Sequence, residues 1–164
     1  MVFGLSTLGF VHTALCLIAL ITGLALVGAM IAGRQLAAGW IAVYFATAVA
    51  ADTTGFALSR GFGIVEWLGL AIGAALLVAI LARYAFGLAG RWRLVFAAAT
   101  VASVYGLVFF TIGEAFIRIP ALRRLAPTLT ELPFVIAQLA AFAVFAGLAI
   151  VAVRNFRASA SPRP

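Results

Sequence analysis

One histidine, His12, one cysteine, Cys16, and four carboxylates, Asp52, Glu66, Glu114 and Glu131, carry the acid–base and nucleophilic chemistry of this chain. An imidazole titrates near neutral pH, and a carboxylate beside it favours its protonated form. His12 and Asp52 together would therefore hold or exchange protons. Glu114 would gate or attract cations, Gln138 would donate and accept hydrogen bonds, and Glu66 and Thr111 complete the candidate polar set. Little else supports catalysis. The chain has no Cys/His spacing suited to zinc, and one histidine cannot supply bis-histidine haem ligation. It has no Walker, GxGxxG or HExxH pattern. A serine nucleophile would have only His12 as its base, and Ser6 and Ser59 sit in no recognisable motif. The expectation is a protein that is not an enzyme and holds no metal or cofactor. Cys16 can form no intrachain disulfide and reads as a small core residue.

The elements that position these groups follow from composition. The chain is 66% hydrophobic and 9% charged, against about 25% charged residues in a soluble domain. Five apolar runs are long enough to cross hydrocarbon as helices: Leu5–Gly33, Leu36–Leu58, Ile64–Tyr84, Leu94–Ile117 and Leu132–Val153. They are continuous rather than alternating, which excludes barrel strands. The first run lacks the positive flank of a signal peptide and is too long for one, so it is expected to be retained. The fold class is thus all-α, an integral membrane bundle of five transmembrane helices over residues 1–154. Short links make successive helices antiparallel neighbours. The longest connection, 118–131, is interrupted by Pro120 and Pro127 and is expected to lie on the membrane surface. Thr130 reads as the N-cap of the last helix, with Glu131 at its positive end. Residues 155–164 read as a disordered tail.

Five spans place the termini on opposite sides. Arg60, Arg118, Arg123 and Arg124 fall on the N-terminal side, and Arg34, Arg83, Arg91, Arg93, Arg154, Arg157 and Arg163 on the other. The excess predicts a cytoplasmic C-terminus and a periplasmic N-terminus in a bacterial inner membrane. The net charge of +7 therefore reports orientation. It does not point to nucleic acid, because no basic helix or stripe exists.

All four acids and His12 fall toward the N-terminal side. At about 1.5 Å rise per residue, His12, Asp52, Gln138 and Thr111 each lie roughly 9–10 Å inside a helix end. They are expected to share one layer in the outer half of the membrane, with Glu114 and Glu66 one turn nearer the surface. Intramembrane charges normally face the bundle interior or a wet cavity, so a polar pocket beneath the 118–131 segment is expected. The competing reading is structural. A His12–Asp52 contact would lock two helices, Gln138 and Thr111 would fasten others, and Glu66 and Glu114 would pair with Arg60 or Arg118. Close helix approach is predicted at Gly69 and Gly73, at Ala25, Ala29 and Gly33, and at Ser103 and Gly106.

Two stretches, VHTALCLIALITG and RIPALRRLAPTLTELPFVIAQ, resemble a family of small, uncharacterised bacterial multi-pass membrane proteins. The likeness runs from about Val11 to Arg157, and ATAVAADTTGF and ARYAFGLAGRWR fit it. The IPAL, LAPT and PFVIAQ portions are its specific part. The resemblance implies the multi-pass architecture and no activity. In the family pattern, asparagine stands where this chain has Gly106, a neutral residue at Asp52, and two prolines at Leu132-Pro133. His12 and Gln138 fit the pattern, whereas Asp52 and Glu114 are particular to this chain.

The expected role is to bind a small molecule, a lipid or a quinone headgroup, or to conduct protons or a solute, through a pocket containing His12, Asp52, Glu114, Gln138, Glu66 and Thr111. The alternative is a non-catalytic accessory or assembly subunit. The expected partners are the bilayer and a homo-oligomer or larger membrane complex, since five spans are few for a transport protomer.

Overall fold

The computed structural model describes residues 6–34, 36–59 and 61–158. Among them are six α-helices and no strand: α1 (Thr7–Ile31), α2 (Ala38–Leu58), α3 (Ile64–Ile80), α4 (Trp92–Arg118), α5 (Pro120–Leu125) and α6 (Leu132–Ala158). A π-helical turn, Leu81–Ala85, continues α3. Five helices are long and apolar enough to cross a membrane, α3 counting with its π turn. The chain is therefore an all-α bundle built for a membrane. The helix boundaries follow the apolar runs closely, because in hydrocarbon a spanning segment must satisfy its own backbone hydrogen bonds.

The five long helices form a ring in the order α1, α2, α3, α4, α6, and α1 and α4 also touch across it. The buried core gathers where these two central helices meet α2, around Leu26, Met30, Tyr44, Phe45, Phe96 and Val104. It lies mostly toward the end that carries Arg34, Arg83 and the end of α6. At the opposite, acidic end, Phe116 and Phe134 meet edge to face, 5.4 Å between ring centroids.

Glycines permit the closest approaches. A Cβ on Gly23 would lie 2.7 Å from the Tyr44 ring, and one on Gly106 would lie 2.4 Å from Ile72. The α3–α4 seam thus has no room for a side chain at position 106. The small-residue expectation holds at Gly69, Ala29, Ser103 and Gly106, but Ala25 is exposed. On α1 the residue pressed against Tyr44 is Gly23.

Helix starts follow local chemistry. The Ser6 hydroxyl accepts the Gly9 N–H at 3.1 Å, which caps α1. Pro120 sits in the first turn of α5, where its missing N–H costs nothing. This short helix packs chiefly on α4 and buries no side chain of its own. The expected lid over a polar pocket is therefore corrected: the segment lies beside α4 at the surface. The tail expected from position 155 is corrected at its first four residues, 155–158, which belong to α6. Arg60 and residues 159–164 lie outside the described residues.

Candidate functional site

His12 stands in the second turn of α1, half-buried against α2. Its Nδ1 lies 2.9 Å from the Thr54 hydroxyl, and its Nε2 lies 3.5 Å from Cys16 Sγ. The Thr54 hydroxyl itself donates to the Ala50 carbonyl at 2.7 Å. Its single proton is thereby used, so toward His12 it acts as acceptor. The donors and acceptors balance when the ring carries its proton on Nδ1 and accepts the Cys16 thiol at Nε2. The helices approach closely here: a Cβ on Gly55 would lie 3.3 Å from the His12 ring. This cluster ties α1 to α2 without a carboxylate.

Asp52 points elsewhere. Thr54 is two residues further along α2, which is about 200° around the helix. The Asp52 carboxylate instead lies on α3, where a Cβ on Gly73 would be 2.7 Å from Oδ2 and one on Gly69 3.8 Å from Oδ1. Among the described residues it makes no hydrogen bond and no ion pair. It lines a groove of about 190 Å³ between α2 and α3, with Val49, Thr53, Gly73, Leu76 and Ile80. Val49 and Thr53 are exposed on the outer side of the bundle. The glycines of α3 leave this space, because any side chain at 73 would occupy the place of the carboxylate.

The remaining candidates separate from these two. Gln138 is buried, and its amide donates to the Phe109 carbonyl at 3.1 Å while its own oxygen has no partner among the described residues. It joins α6 to α4. Thr111 is exposed and bonds back to the Leu107 carbonyl, as mid-helix threonines do. Glu114 is 55% exposed and pairs with Arg118 one turn on. Glu66 accepts from the Gly63 N–H at 2.7 Å and from the Ser59 hydroxyl, closing the first turn of its own helix.

The single shared pocket expected for His12, Asp52, Glu114, Gln138, Glu66 and Thr111 is thus corrected. The six residues lie toward one end of the bundle, but their side chains turn to different seams or to the surface. His12 and Asp52 are joined by no hydrogen bond or ion pair. The expected pairing of Glu114 with Arg118 is present.

Glu131 accepts from the Thr128 N–H and hydroxyl and from the Thr130 N–H. Desolvation pushes its carboxyl upward. The Thr128 hydroxyl and the surrounding backbone N–H groups outweigh this and hold its pKa below the ordinary carboxyl value. The Thr130 hydroxyl pairs with that of Thr128, so the organising acceptor of this turn is Glu131 and not the expected Thr130.

One buried polar contact had no counterpart in the sequence reading. The Tyr44 hydroxyl lies 2.6 Å from Ser103 Oγ, and Ser103 donates to the Thr100 carbonyl at 2.9 Å. A tyrosine within a span must place its hydroxyl on a partner, which is the signal that could have pointed to this residue. The partner's identity depends on which helix faces it. No group of three or more His, Cys, Asp or Glu side chains suited to a metal ion occurs among the described residues. No protein-family model, curated protein or solved structure matches the chain.

Proposed function

We propose that the protein is a membrane-embedded binding protein whose α2–α3 groove takes a lipid-soluble ligand and holds its cationic or donor headgroup on Asp52. The observation that carries this reading is the unpartnered Asp52 carboxylate in a side-opening groove of about 190 Å³. A charge in hydrocarbon costs at least about 2.5 kcal/mol, and an ammonium or hydroxyl group from a ligand would offset that. The groove is otherwise apolar and suits an acyl or alkyl chain. Binding is favoured over conduction because the polar groups are divided among seams and form no file through the bundle. In this reading the protein sits in a bacterial inner membrane, N-terminus outside, and the groove opens in the outer leaflet. Its role is not enzymatic.

A hydrophobic carbodiimide, which modifies carboxyl groups in apolar surroundings, tests this directly. In detergent-solubilised protein the expected result is modification of Asp52 ahead of Glu66, Glu114 and Glu131, reduced by dodecyltrimethylammonium and unaffected by dodecane. Asp52→Asn should abolish it. Modification that dodecyltrimethylammonium leaves unchanged would sink the reading. The second role, an accessory subunit, uses the same unpartnered carboxylate. There a partner helix bearing a cation fills the groove, and mild-detergent purification should yield a heteromeric complex that Asp52→Asn dissociates.

A further inference from the structure

The opposite end of the bundle gathers arginines. Among the described residues, Arg34, Arg83, Arg91, Arg93, Arg154 and Arg157 belong to this end, and all four acids belong to the other. Arg83 differs from the rest in its setting. It lies within the π turn, where the Phe86 N–H reaches back to the Leu81 carbonyl and the Leu88 N–H to the Ala82 carbonyl. Such turns re-aim a side chain relative to a regular helix and recur at functional sites. Here the Arg83 guanidinium carbon stands 5.7 Å from the Tyr84 ring centroid and 5.9 Å from that of Phe96. The two rings hold the planar group by cation–π attraction. Its Nε–H is buried and has no hydrogen-bond partner among the described residues. Arg93, by contrast, gives its Nε–H to the Leu88 carbonyl.

Arg83 and Arg34 line the same small cavity, about 20 Å³, together with Met30, Leu36, Ile41 and Phe96. That volume admits about one oxygen atom, while Arg34 is exposed at the bundle surface. We propose that Arg83 and Arg34 bind a phosphate group, with one phosphoryl oxygen taken into the cavity and the remainder held at its mouth by Arg34. Guanidinium groups match phosphate geometry and are the usual choice for it. Among the described residues no Asp or Glu side chain stands at this end to compete for them. An anionic phospholipid and free phosphate present the same chemistry, and the end of a membrane span lies at the level of lipid phosphates. This inference does not depend on the Asp52 groove.

The test uses the full chain in neutral detergent. Retention of phosphatidylglycerol, phosphatidylcholine and inorganic phosphate is measured by native mass spectrometry and by thermal shift. Phosphatidylglycerol should be retained in preference to phosphatidylcholine. Arg83→Gln and Arg34→Gln should each weaken that retention at least about fivefold, about 1 kcal/mol, while Arg91→Gln stays within twofold. Arg34 is exposed, so its variant tests the site even if Arg83→Gln destabilises the bundle. Arg83→Lys keeps the charge but lacks the Nε donor, and it should lose retention too. Displacement of the lipid by millimolar phosphate would assign the site to the free ion, and resistance would assign it to the lipid. Equal retention of both lipids, or equal losses in the Arg91 and Arg34 variants, would overturn the proposal.

Discussion

At the level of single residues, what matters is whether a polar group has a partner once its neighbours are in place. Tyr44 and Ser103 form an unequal pair. Ser103 gives its proton to the Thr100 carbonyl, so the Tyr44 hydroxyl is the donor between them. Tyr44→Phe leaves Ser103 with its carbonyl partner and should cost about 1 kcal/mol. Ser103→Ala leaves a buried hydroxyl without an acceptor and should cost more, about 1–3 kcal/mol. Thermal unfolding of the two variants in the same detergent checks the order. Glu131 behaves as a surface group with a depressed pKa. A depressed carboxyl contributes stability that is present above its unfolded value and is lost as pH falls through its folded value. The amide resonances of Thr128 and Thr130 should therefore stay constant down to about pH 5 and shift below the ordinary carboxyl value of 4.5. The Glu131→Gln protein should show no such step.

At the scale of helices, close contact depends on a few missing side chains. Gly106 faces Ile72 with no room for a Cβ, and overpacking a tight seam costs about 1–3 kcal/mol. Gly106→Ala should lower the melting temperature, and a compensating Ile72→Val should recover part of the loss. Gly73 acts differently, since what its Cβ would meet is the end of the Asp52 side chain. Gly73→Val should displace the carboxylate from the groove and change carbodiimide modification at Asp52 without a comparable loss of stability. The helices themselves were legible. The run expected over 36–58 is α2, Ala38–Leu58, and that over 94–117 is α4, Trp92–Arg118, because apolar length is what membrane crossing demands. The π turn at Leu81–Ala85 was not legible: it alters the hydrogen-bond register with no glycine or proline inside it to announce it.

Over the whole molecule the dominant feature is charge separation, with the carboxylates at one end of an apolar bundle and most arginines at the other. If those arginines set orientation as proposed, a fluorescent reporter fused to the C-terminus should fold in the cytoplasm, and an N-terminal secreted reporter should be active outside. The opposite pattern would reverse the sidedness of both proposed sites.

Sequence alone determined the five spans, their antiparallel order and the depth of each polar group. Depth is a matter of counting residues at a constant rise. It placed His12, Asp52, Gln138 and Thr111 near one level, but it could not say which way each side chain turns. In a soluble helix the polar face would have shown that direction. Here leucine, alanine and valine surround every helix, because lipid accepts an apolar surface as readily as a core does. Only the tertiary structure decided the rotations: His12 onto Thr54, Asp52 onto the glycines of α3, Thr111 outward, and Arg83 into a cavity that its charge alone would not have suggested. Those rotations are set by which neighbouring helix offers a glycine, a hydroxyl or a ring, and that information is spread over segments far apart in the chain.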